Sequence, residues 1–508
     1  MNARTYGNPV LPGFHPDPSV CRVGDDYYLV CSSFEYFPGV PVFHSRDLVH
    51  WRQIGNVLDR PAQLDLPPET PASAGVYAPT IRHHDGTFYM ITTIVGGRGT
   101  FLVTAARPEG PWSDPVWIDL PGIDPDLAWD EDGSCWCAFS GNQVARIDPA
   151  TGEVLDGPHP IWSGTGLKYP EAPHLYRIGA WWYLLMSEGG TERGHSVSVA
   201  RARSPRGPYE PASGNPILSH GGTDRPIQST GHADLVQAAD GTWWMMLLGT
   251  RPRGYTPEFQ VLGRETFLVP VEWADGWPVV GPVEERHPAP AAWHPFPPRP
   301  SRDDFDGDVL APSWISPRSR PDRSWSLAER PGRLTLHATG PTLDRPGHTF
   351  VGRRQQHHDC RVSARLDPGP AAIAGLSVRM DEAHHYELEV GAGRARVIAR
   401  IGPLRQCVAE QPVPPGPVTL TLDIRTGDLL PPTVTAAPSG EPLGVAARGP
   451  DTIAFSADGE LLAELDGRYL STEVATGFTG RVIGMYVTRG SAAFDWFDYQ
   501  ETGRARHP

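Results

Sequence analysis

The sequence predicts an all-β protein: a five-bladed β-propeller followed by a β-sandwich. Three observations predict this fold, namely frequent turn residues, many aromatic residues and a hairpin-like pattern that occurs five times in the first half. The 508 residues include 55 Gly, 56 Pro and 16 Trp, a composition typical of turns and strands. Because so long a chain exceeds one ordinary hydrophobic core, at least two domains are expected.

The repeated pattern is a short polar turn followed by an aromatic pair and an apolar run, which is typical of a hairpin leading into a buried strand. The five copies are GDDYYLVCSS, HDGTFYMITT, EDGSCWCAFS, RIGAWWYLLMS and ADGTWWMMLLG. The second aromatic residue of each pair is Tyr28, Tyr89, Trp136, Trp182 and Trp244 in turn. Their spacing fits a four-stranded propeller blade, so five copies predict five blades.

The strand before each turn carries an ionisable group at one recurring position in four of the five copies. Eleven or twelve residues before the aligned aromatic lie Asp17, Asp124, Glu171 and His232, with Ala78 in the second copy. The innermost strands of a propeller line a central channel, so equivalent positions on them converge. We therefore predict that the carboxyl groups of Asp17, Asp124 and Glu171 share one axial pocket.

Converging acids of this kind suit the hydrolysis of a glycosidic bond. One protonated carboxyl group gives its proton to the leaving oxygen, and an ionised one activates water or attacks the sugar. A third acid can raise the pKa of the proton donor by like-charge repulsion and can orient the sugar. Phe34, Phe37 and Tyr77 lie close to the first two positions. Each is interpreted as a sugar-stacking ring or, equally well, as a core aromatic.

The second half of the chain begins after a proline-dense linker. This linker, HPAPAAWHPFPPRPSRDDF, starts at His287 and is expected to be semi-rigid. Beyond it, short alternating runs such as RLTLHA, HYELEV and VTLTLDI predict a β-sandwich. We therefore assign residues 5–295 to the propeller and residues 296–505 to the sandwich. The acidic run DDFDGD from Asp303 is interpreted as a solvated turn rather than a calcium site.

Charge and targeting signals limit the partners and the location. A net charge of −15 without a basic block argues against a nucleic-acid partner. The first residues contain no apolar segment typical of a signal peptide, and the longest apolar runs are too short to cross a bilayer. The six cysteines show no metal-type double pair and are interpreted as reduced, buried thiols. These features predict a cytoplasmic protein without a membrane partner. A homo-oligomer is compatible with them.

Several segments resemble glycoside hydrolase family 43. They are GFHPDPSVCRVGDDYYLVCSSFEYFPGVPVFHSRDLVHW, VYAPTIRHHDGTFY, GIDPDLAWDEDG, YPEAPHLYR, GHADLV and LGRETF, in the family's order. YLSTEVATGFTGRVIGMYV and AAFDWFDY resemble the lectin-like, concanavalin-like domain that accompanies many members. The resemblance implies an inverting, exo-acting β-xylosidase or α-L-arabinofuranosidase on plant-derived oligosaccharides such as those of xylan. Tyr77-Ala78-Pro79-Thr80 replaces the Trp-Ala-Pro-Asp of many xylosidase members, which leaves the preferred sugar open.

The resemblance also implies a role for each candidate residue. Asp17 matches the general base, Asp124 the pKa modulator and Glu171 the general acid. His232 and Arg264 match residues that line the pocket.

Two of these assignments have alternatives. The resemblance implies that His232 can lie beside a calcium ion held largely through waters, although no sequence cluster demands the ion and no cofactor is required. Arg264 is interpreted as a bidentate clamp on sugar hydroxyls, with an ion pair to Glu265 or another acid as its alternative.

Three other functions compete with this one. A retaining propeller glycosidase on other sugars, of the fructan-hydrolase type, would use a nucleophile instead of a base. A non-catalytic carbohydrate-binding propeller would tolerate loss of one of the three acids, and none is lost. A protein-interaction propeller would not need buried acids.

Overall fold

The computed structural model describes residues 4–318, 324–427 and 449–503, and these residues are almost entirely β-structure. The prediction of an all-β protein is confirmed. Two compact units are present: unit 1 comprises Met1–Thr250, Arg264–Pro297 and Pro317–Arg320, and unit 2 comprises Arg251–Gly263, Pro298–Ser316 and Pro321–Pro508. Within the described ranges, no helix is both long and apolar enough to span a bilayer.

Five antiparallel sheets of four or five strands, named I to V in chain order, make up most of the described part of unit 1. In sheets I, III and V the strands follow one another in chain order; in sheet II the first two strands both pair with the third, and in sheet IV the last two both pair with the third. The strands are Ser19–Val23, Asp26–Val30, Gly39–Ser45 and Arg52–Leu58 in sheet I; Gly75–Val76, Thr80–His84, Thr87–Val95, Gly99–Ala105 and Val116–Ile118 in sheet II; Asp126–Trp129, Cys135–Phe139, Gln143–Ile147 and Val154–Pro160 in sheet III; Glu171–Ile178, Trp181–Glu188, Ser196–Ala202, Glu210–Pro211 and Leu218–Ser219 in sheet IV; and Gln228–Gln237, Trp243–Thr250, Glu265–Ala274 and Trp277–Val280 in sheet V.

Each of these five sheets buries both of its faces. Successive residues of a strand point to opposite faces, and the two faces pack into different apolar layers. Val20 packs between sheets V and I, whereas its neighbour Cys21 packs between sheets I and II. Leu127 lies between sheets II and III, and Ala128 lies between sheets III and IV. A further layer joins sheets IV and V. Burial on both faces explains why the strands read as continuous apolar runs such as WWMMLL.

The inner strands of the sheets are also neighbours in space. The inner strand of sheet I, Ser19–Val23, adjoins those of sheets II and V, and the inner strands of sheets II, III, IV and V adjoin one another in chain order. A short strand near the start of the chain, Thr5–Gly7, pairs antiparallel with Arg286–Pro288 near the end of unit 1. This pairing joins the two ends of the unit. The remaining short strands are Tyr36–Phe37 and Ser316–Pro317.

Unit 2 is a β-sandwich, as predicted. Its two sheets enclose one apolar core that includes Leu388, Phe455 and Phe494. Sheet VI contains Arg302–Asp303, Trp325–Ser326, Leu334–His337, Cys360–Pro368, Val418–Thr426, Asp451–Ala457, Glu460–Asp466 and Ser491–Glu501, and sheet VII contains Thr349–Arg354, Ile373–Arg379, His384–Gly391, Arg394–Ile401, Leu404–Pro412 and Val482–Arg489. A 3-10 turn, Gly467–Leu470, and a short α-helix, Thr472–Ala475, complete the unit.

The two units are not consecutive halves of the chain. Arg251–Gly263 belongs to unit 2 and Pro317–Arg320 belongs to unit 1. The predicted boundary between residues 295 and 296 assigns each of these two segments to the other unit. The predicted end of the sandwich, residue 505, lies outside the described residues.

Candidate active site

A buried ionic network lies where the inner strands of sheets I to V meet. Its centre is Arg82 on sheet II, whose guanidinium lies 2.8 Å from Asp126 of sheet III and 2.8 Å from Asp234 of sheet V. Arg82 also donates to Nδ1 of His174 on sheet IV at 3.0 Å. Burial alone would lower the pKa of Arg82, but the two carboxylates raise it. The guanidinium is therefore a permanent positive charge at this point.

The remaining strands complete the network through Asp234. Ser19 of sheet I donates to this carboxylate at 2.8 Å and Tyr176 of sheet IV donates at 2.6 Å. Burial would raise the pKa of Asp234, yet Arg82 and the hydrogen bonds hold it below the usual range. All five inner strands thus contribute a side chain to one connected polar cluster.

A second layer of residues lies two positions earlier on four of these strands. Asp17, Asp124, Ala172 and His232 have positive φ angles of 56°, 55°, 51° and 47°. Each precedes a residue of the Arg82 network by two positions. Non-glycine residues adopt this backbone conformation at a cost, and it is frequent at functional sites. The alignment of the five repeated copies places Glu171 at this position in sheet IV. That register was wrong by one residue. Asp126 and Asp234 pair with the residue two positions after the aligned tryptophan, whereas His174 pairs with Leu185, three positions after Trp182, so Tyr183 is the equivalent aromatic.

Asp17 is held as a carboxylate. Arg264 donates to its Oδ1 at 2.8 Å, Ser32 donates to its Oδ2 at 2.5 Å, and Nδ1 of His232 lies 3.5 Å from Oδ1. Burial alone would raise the pKa of Asp17, but Arg264, His232 and Ser32 together lower it. Arg264 therefore makes an ion pair with an acid, which was the alternative interpretation, and the clamp on sugar hydroxyls stays a prediction. Arg264 also donates to Thr191 at 3.0 Å.

Asp124 and Glu171 form the opposite electrostatic case. The Asp124 carboxyl accepts a hydrogen bond from the backbone N–H of Ala172 at 3.2 Å, which places it beside Glu171. The pKa of Asp124 is raised well above its usual range by burial and then by the charges of Glu171 and Asp17. Burial and like-charge repulsion therefore favour a proton on one of these two neighbouring carboxyl groups.

Glu171 is the more accessible member of this pair. Its side chain is 21% exposed, and Nε2 of the fully buried His195 lies 3.2 Å from its Oε1. Asp124 as a residue is only 7% exposed. A ligand entering the site can therefore reach the Glu171 carboxyl group more easily than that of Asp124.

His232 is a buried, neutral histidine. Burial lowers its pKa to about 4, although Asp17 acts in the opposite direction. Its backbone N–H donates to Ser187 Oγ at 2.6 Å. Calcium prefers six to eight oxygen ligands at about 2.3–2.6 Å. The donors here are one imidazole nitrogen and one carboxylate already paired with Arg264 and Ser32, so they do not fit calcium.

The predicted aromatic residues divide into two groups. Phe34 stacks on Phe14 at a centroid distance of 5.8 Å and meets the edge of Tyr77 at 5.3 Å. The Arg264 guanidinium carbon lies 5.7 Å from the Phe34 ring centroid. Burial raises the pKa of Tyr77, and the charges of the site acids add to this effect. These two rings therefore lie beside the acids. Phe37 instead packs in the apolar layer between sheets I and II, so its predicted role in substrate binding is corrected to a core role.

Sequence analysis did not identify several residues of the site. His195 and Thr191 belong to no repeated pattern, and Ser32 lies at the end of the first repeated copy without marking itself as a site residue; only the folded chain brings the three to the acids. The Arg82 network had a readable signal, since Asp126 and Asp234 each lie two residues after a predicted site residue. A second ionisable residue at a fixed offset could have been found by the same alignment.

The sequence matches known families over both units. The family model described as "Glycosyl hydrolases family 43" matches residues 6–278. A second model, described as "Beta xylosidase C-terminal Concanavalin A-like domain", matches residues 302–500.

Two curated relatives match along nearly the full chain. The "Non-reducing end alpha-L-arabinofuranosidase BoGH43B" of Bacteroides ovatus is 41% identical, with 98% of this chain and 95% of that protein covered. The "Xylosidase/arabinosidase" of Butyrivibrio fibrisolvens is 37% identical, with 97% and 98% covered.

Two solved structures share the fold. The structure described as "Bacteroides ovatus Xyloglucan PUL GH43B" has a TM-score of 0.88 at 39% identity, over 98% of this chain and 100% of that one. The structure of "xylan beta-1,4-xylosidase from Bacillus Halodurans C-125" has a TM-score of 0.85 at 33% identity, with 98% and 100% covered.

Proposed function

The chain belongs to glycosyl hydrolase family 43, and from this membership we propose that it is an inverting exo-glycosidase. Its substrates are oligosaccharides of plant origin that end in an α-L-arabinofuranosyl or β-xylosyl residue, which the enzyme removes from the non-reducing end. The names of the Bacteroides ovatus and Butyrivibrio fibrisolvens relatives support this substrate class.

One observation carries the proposal: neighbouring acids in one site are held in opposite protonation states. Arg264 and Ser32 favour the ionised form of Asp17, whereas burial and Glu171 favour a proton on the Asp124–Glu171 pair. Glycoside hydrolysis needs one carboxylate and one carboxylic acid at the same time. The environment of the site favours both forms, one on each side.

The reaction follows from these states. Asp17, as general base, removes a proton from a water molecule whose oxygen forms a bond to the anomeric carbon. The bond from that carbon to the leaving oxygen breaks, and Glu171 gives its proton to this oxygen. Inversion needs room for the water, which corresponds to a separation of about 6.5–9.5 Å between the two carboxyl groups. Glu171 then regains a proton from solvent, and Asp17 releases its proton to solvent.

The other site residues position these groups. Arg264 and Ser32 fix both oxygens of Asp17, and His195 lies against Oε1 of Glu171. Asp124 lies beside Glu171, and the like-charge repulsion between their carboxyl groups favours a proton on one of them. The partly exposed ring of Tyr77 provides an apolar face for a sugar, and the buried ring of Phe34 supports it from behind.

The proposed architecture of unit 1 is a five-bladed propeller around a central channel. Its support is the closed series of apolar layers, in which every sheet from I to V packs on two others. A second support is the contribution of all five inner strands to the Arg82 network. A crystal structure with another number of blades would contradict this architecture.

The test of function is a panel of aryl glycosides with the product followed by NMR. We expect release of arabinose or xylose with inverted anomeric configuration, and the ratio of kcat/KM values identifies the preferred sugar. A product that first appears with retained configuration would support a retaining propeller glycosidase. On a long xylan, early release of mixed oligosaccharides instead of monosaccharide would contradict the exo mode. No turnover of any glycoside would leave a carbohydrate-binding propeller as the better description.

A further inference from the structure

Unit 2 contains a buried cluster of a histidine and two acids that plays no part in the candidate active site. Strand His384–Gly391 of sheet VII alternates between two faces, with Leu388 in the sandwich core. The opposite face carries His385 and Glu387, which are 0% and 1% exposed. Asp344, from the loop before strand Thr349–Arg354, faces the same point. Burying such groups is costly unless a partner satisfies them.

The distances within this cluster are unusual for hydrogen bonds. Nε2 of His385 lies 3.3 Å from Oδ1 of Asp344 and 3.4 Å from Oε1 of Glu387. Charge-assisted N–H···O bonds are shorter, at about 2.7–2.9 Å. A tetrahedral ion with bonds of about 2.0–2.1 Å keeps its ligand atoms roughly 3.3–3.4 Å apart. The observed spacing therefore matches three ligands of one ion.

The orientation of the imidazole supports the same conclusion. Nδ1 of His385 lies 3.3 Å from the backbone oxygen of Asp381. A carbonyl oxygen can only accept, so Nδ1 carries the hydrogen. Nε2 makes no hydrogen bond of adequate geometry among the described residues. The two carboxylate oxygens that face Nε2 need a positive charge between them, either a proton on Nε2 or a bound cation, and the long contacts favour the bound cation. Metal-binding histidines typically have this carbonyl partner on the other ring nitrogen.

The charges around the cluster leave room for a cation. Arg405 lies 3.3 Å from Oδ2 of Asp344 and 3.3 Å from Glu387. It therefore offsets one of the two negative charges from the outer side. Arg379, also close to His385, is paired with Glu382 at 3.0 Å. With a neutral imidazole, the cluster of Asp344, His385, Glu387 and Arg405 retains one net negative charge.

We propose that Asp344, His385 and Glu387 bind one divalent transition-metal cation of the zinc type, with water as the fourth ligand. One imidazole and two carboxylates form a donor set that zinc accepts, whereas calcium and magnesium prefer oxygen alone. The ion would tie the loop that contains Asp344 to sheet VII. Its role is structural, because none of its ligands belongs to the candidate active site.

The test is calorimetric titration of Zn²⁺ into the metal-free full chain. We expect one site per chain, with affinity reduced at least about tenfold in Asp344→Asn. This variant keeps the side-chain shape at a partly exposed position. The matched control is Glu329→Gln, which removes the carboxylate of the His337–Glu329 pair in the same unit, 2.8 Å apart. The control should bind Zn²⁺ like the wild-type chain.

A second readout separates metal binding from a mere ion-pair network. Saturating Zn²⁺ should raise the Tm of the wild-type chain by at least about 3 °C and leave that of Asp344→Asn unchanged. Arabinosidase or xylosidase activity at 25 °C should be equal in the wild-type chain and in Asp344→Asn. The proposal is wrong if the wild-type chain binds no Zn²⁺, or if Asp344→Asn binds it as tightly. In either case His385 is an imidazolium between two carboxylates.

Discussion

Two layers of ionisable residues lie two positions apart on the same inner strands of unit 1, yet their charges are arranged differently. In the Arg82 layer, one guanidinium lies between Asp126 and Asp234, and the pKa of Asp234 is lowered. In the acid layer, Arg264 pairs with Asp17, and the pKa of Asp124, which lies beside Glu171, is raised. Burial is similar in the two layers, so the neighbouring charges decide which acids are ionised. The layer in which both acids contact the same cation suits a structural role, and the layer in which two acids lie side by side suits proton transfer.

The largest expected effect comes from Asp17, the ionised member of the acid layer. Asp17→Asn removes the base that activates water, and every substrate needs this step. We expect kcat/KM to fall by about 10²–10⁴ on natural oligosaccharides and on activated aryl glycosides alike. Asp25→Asn, at an exposed turn of the same sheet, is the control and should keep full activity. If Asp17→Asn spares activated substrates, its assignment as base is wrong.

Glu171→Gln should lose comparable activity on natural oligosaccharides only. An activated aryl group leaves as a stable anion and needs little protonation, so most of its hydrolysis rate should survive. The basic limb of the pH profile should also disappear, because no proton donor remains to be titrated. Steady-state kinetics on both substrate types check this outcome. Equal losses on both would assign Glu171 a different role.

Asp124→Asn should have an intermediate effect, because Asp124 acts through the proton of its neighbour and through sugar position. Removing its charge weakens the repulsion that retains the proton on the pair, so the basic limb should move to lower pH. The acid limb belongs to Asp17, whose pKa is lowered, and it should stay where it is. A pH profile of kcat/KM distinguishes the two limbs. An unchanged basic limb would remove Asp124 from the proton-transfer machinery.

Substitutions in the Arg82 layer should lower the stability of the protein more than its catalytic activity. Arg82→Gln leaves Asp126 and Asp234 buried without their cation, which typically costs about 3–5 kcal/mol. Arg177→Gln is the matched control, because Arg177 pairs with Asp130 at 2.9 Å near the surface, and such pairs contribute about 0–1 kcal/mol. Denaturant midpoints measure both variants. Equal shifts would show that the Arg82 layer is not a structural element.

The smallest expected effect follows removal of divalent cations. Because the donors at His232 do not fit calcium, chelation should change kcat/KM by less than about twofold. The assay is run well below the Tm, since the proposed zinc site acts on stability. Loss of activity that calcium alone restores would contradict the conclusion drawn from the His232 donors.

The repeated hairpins allowed much of unit 1 to be predicted from the sequence. The strands of sheets I to V and the positions of Asp17, Asp124 and His232 follow from a short-range pattern with a long period. The position in sheet IV was missed by one residue because Trp182 was aligned where Tyr183 is the equivalent aromatic. Three aromatic residues follow one another there, so the sequence alone does not show which of them to align.

Other features could not be predicted because they depend on long-range packing. Phe34 and Phe37 lie three residues apart in similar sequence, yet one stacks in the site and the other in the core. His195 meets Glu171 only after sheet IV has formed. Arg251–Gly263 belongs to unit 2, and nothing in its amino-acid composition indicates this. The cytoplasmic location and a homo-oligomeric state stay predictions.

The pairing of Thr5–Gly7 with Arg286–Pro288 has a consequence for how the protein is made. Tyr6 also donates to the backbone oxygen of Leu268 at 2.7 Å, so the start of the chain binds segments synthesised some 260 to 280 residues later. At about 5–20 residues per second, the N-terminal strand waits roughly 15 to 60 seconds on the ribosome for its partner. During that time it is an exposed edge, and a chaperone that covers it would act before unit 2 exists.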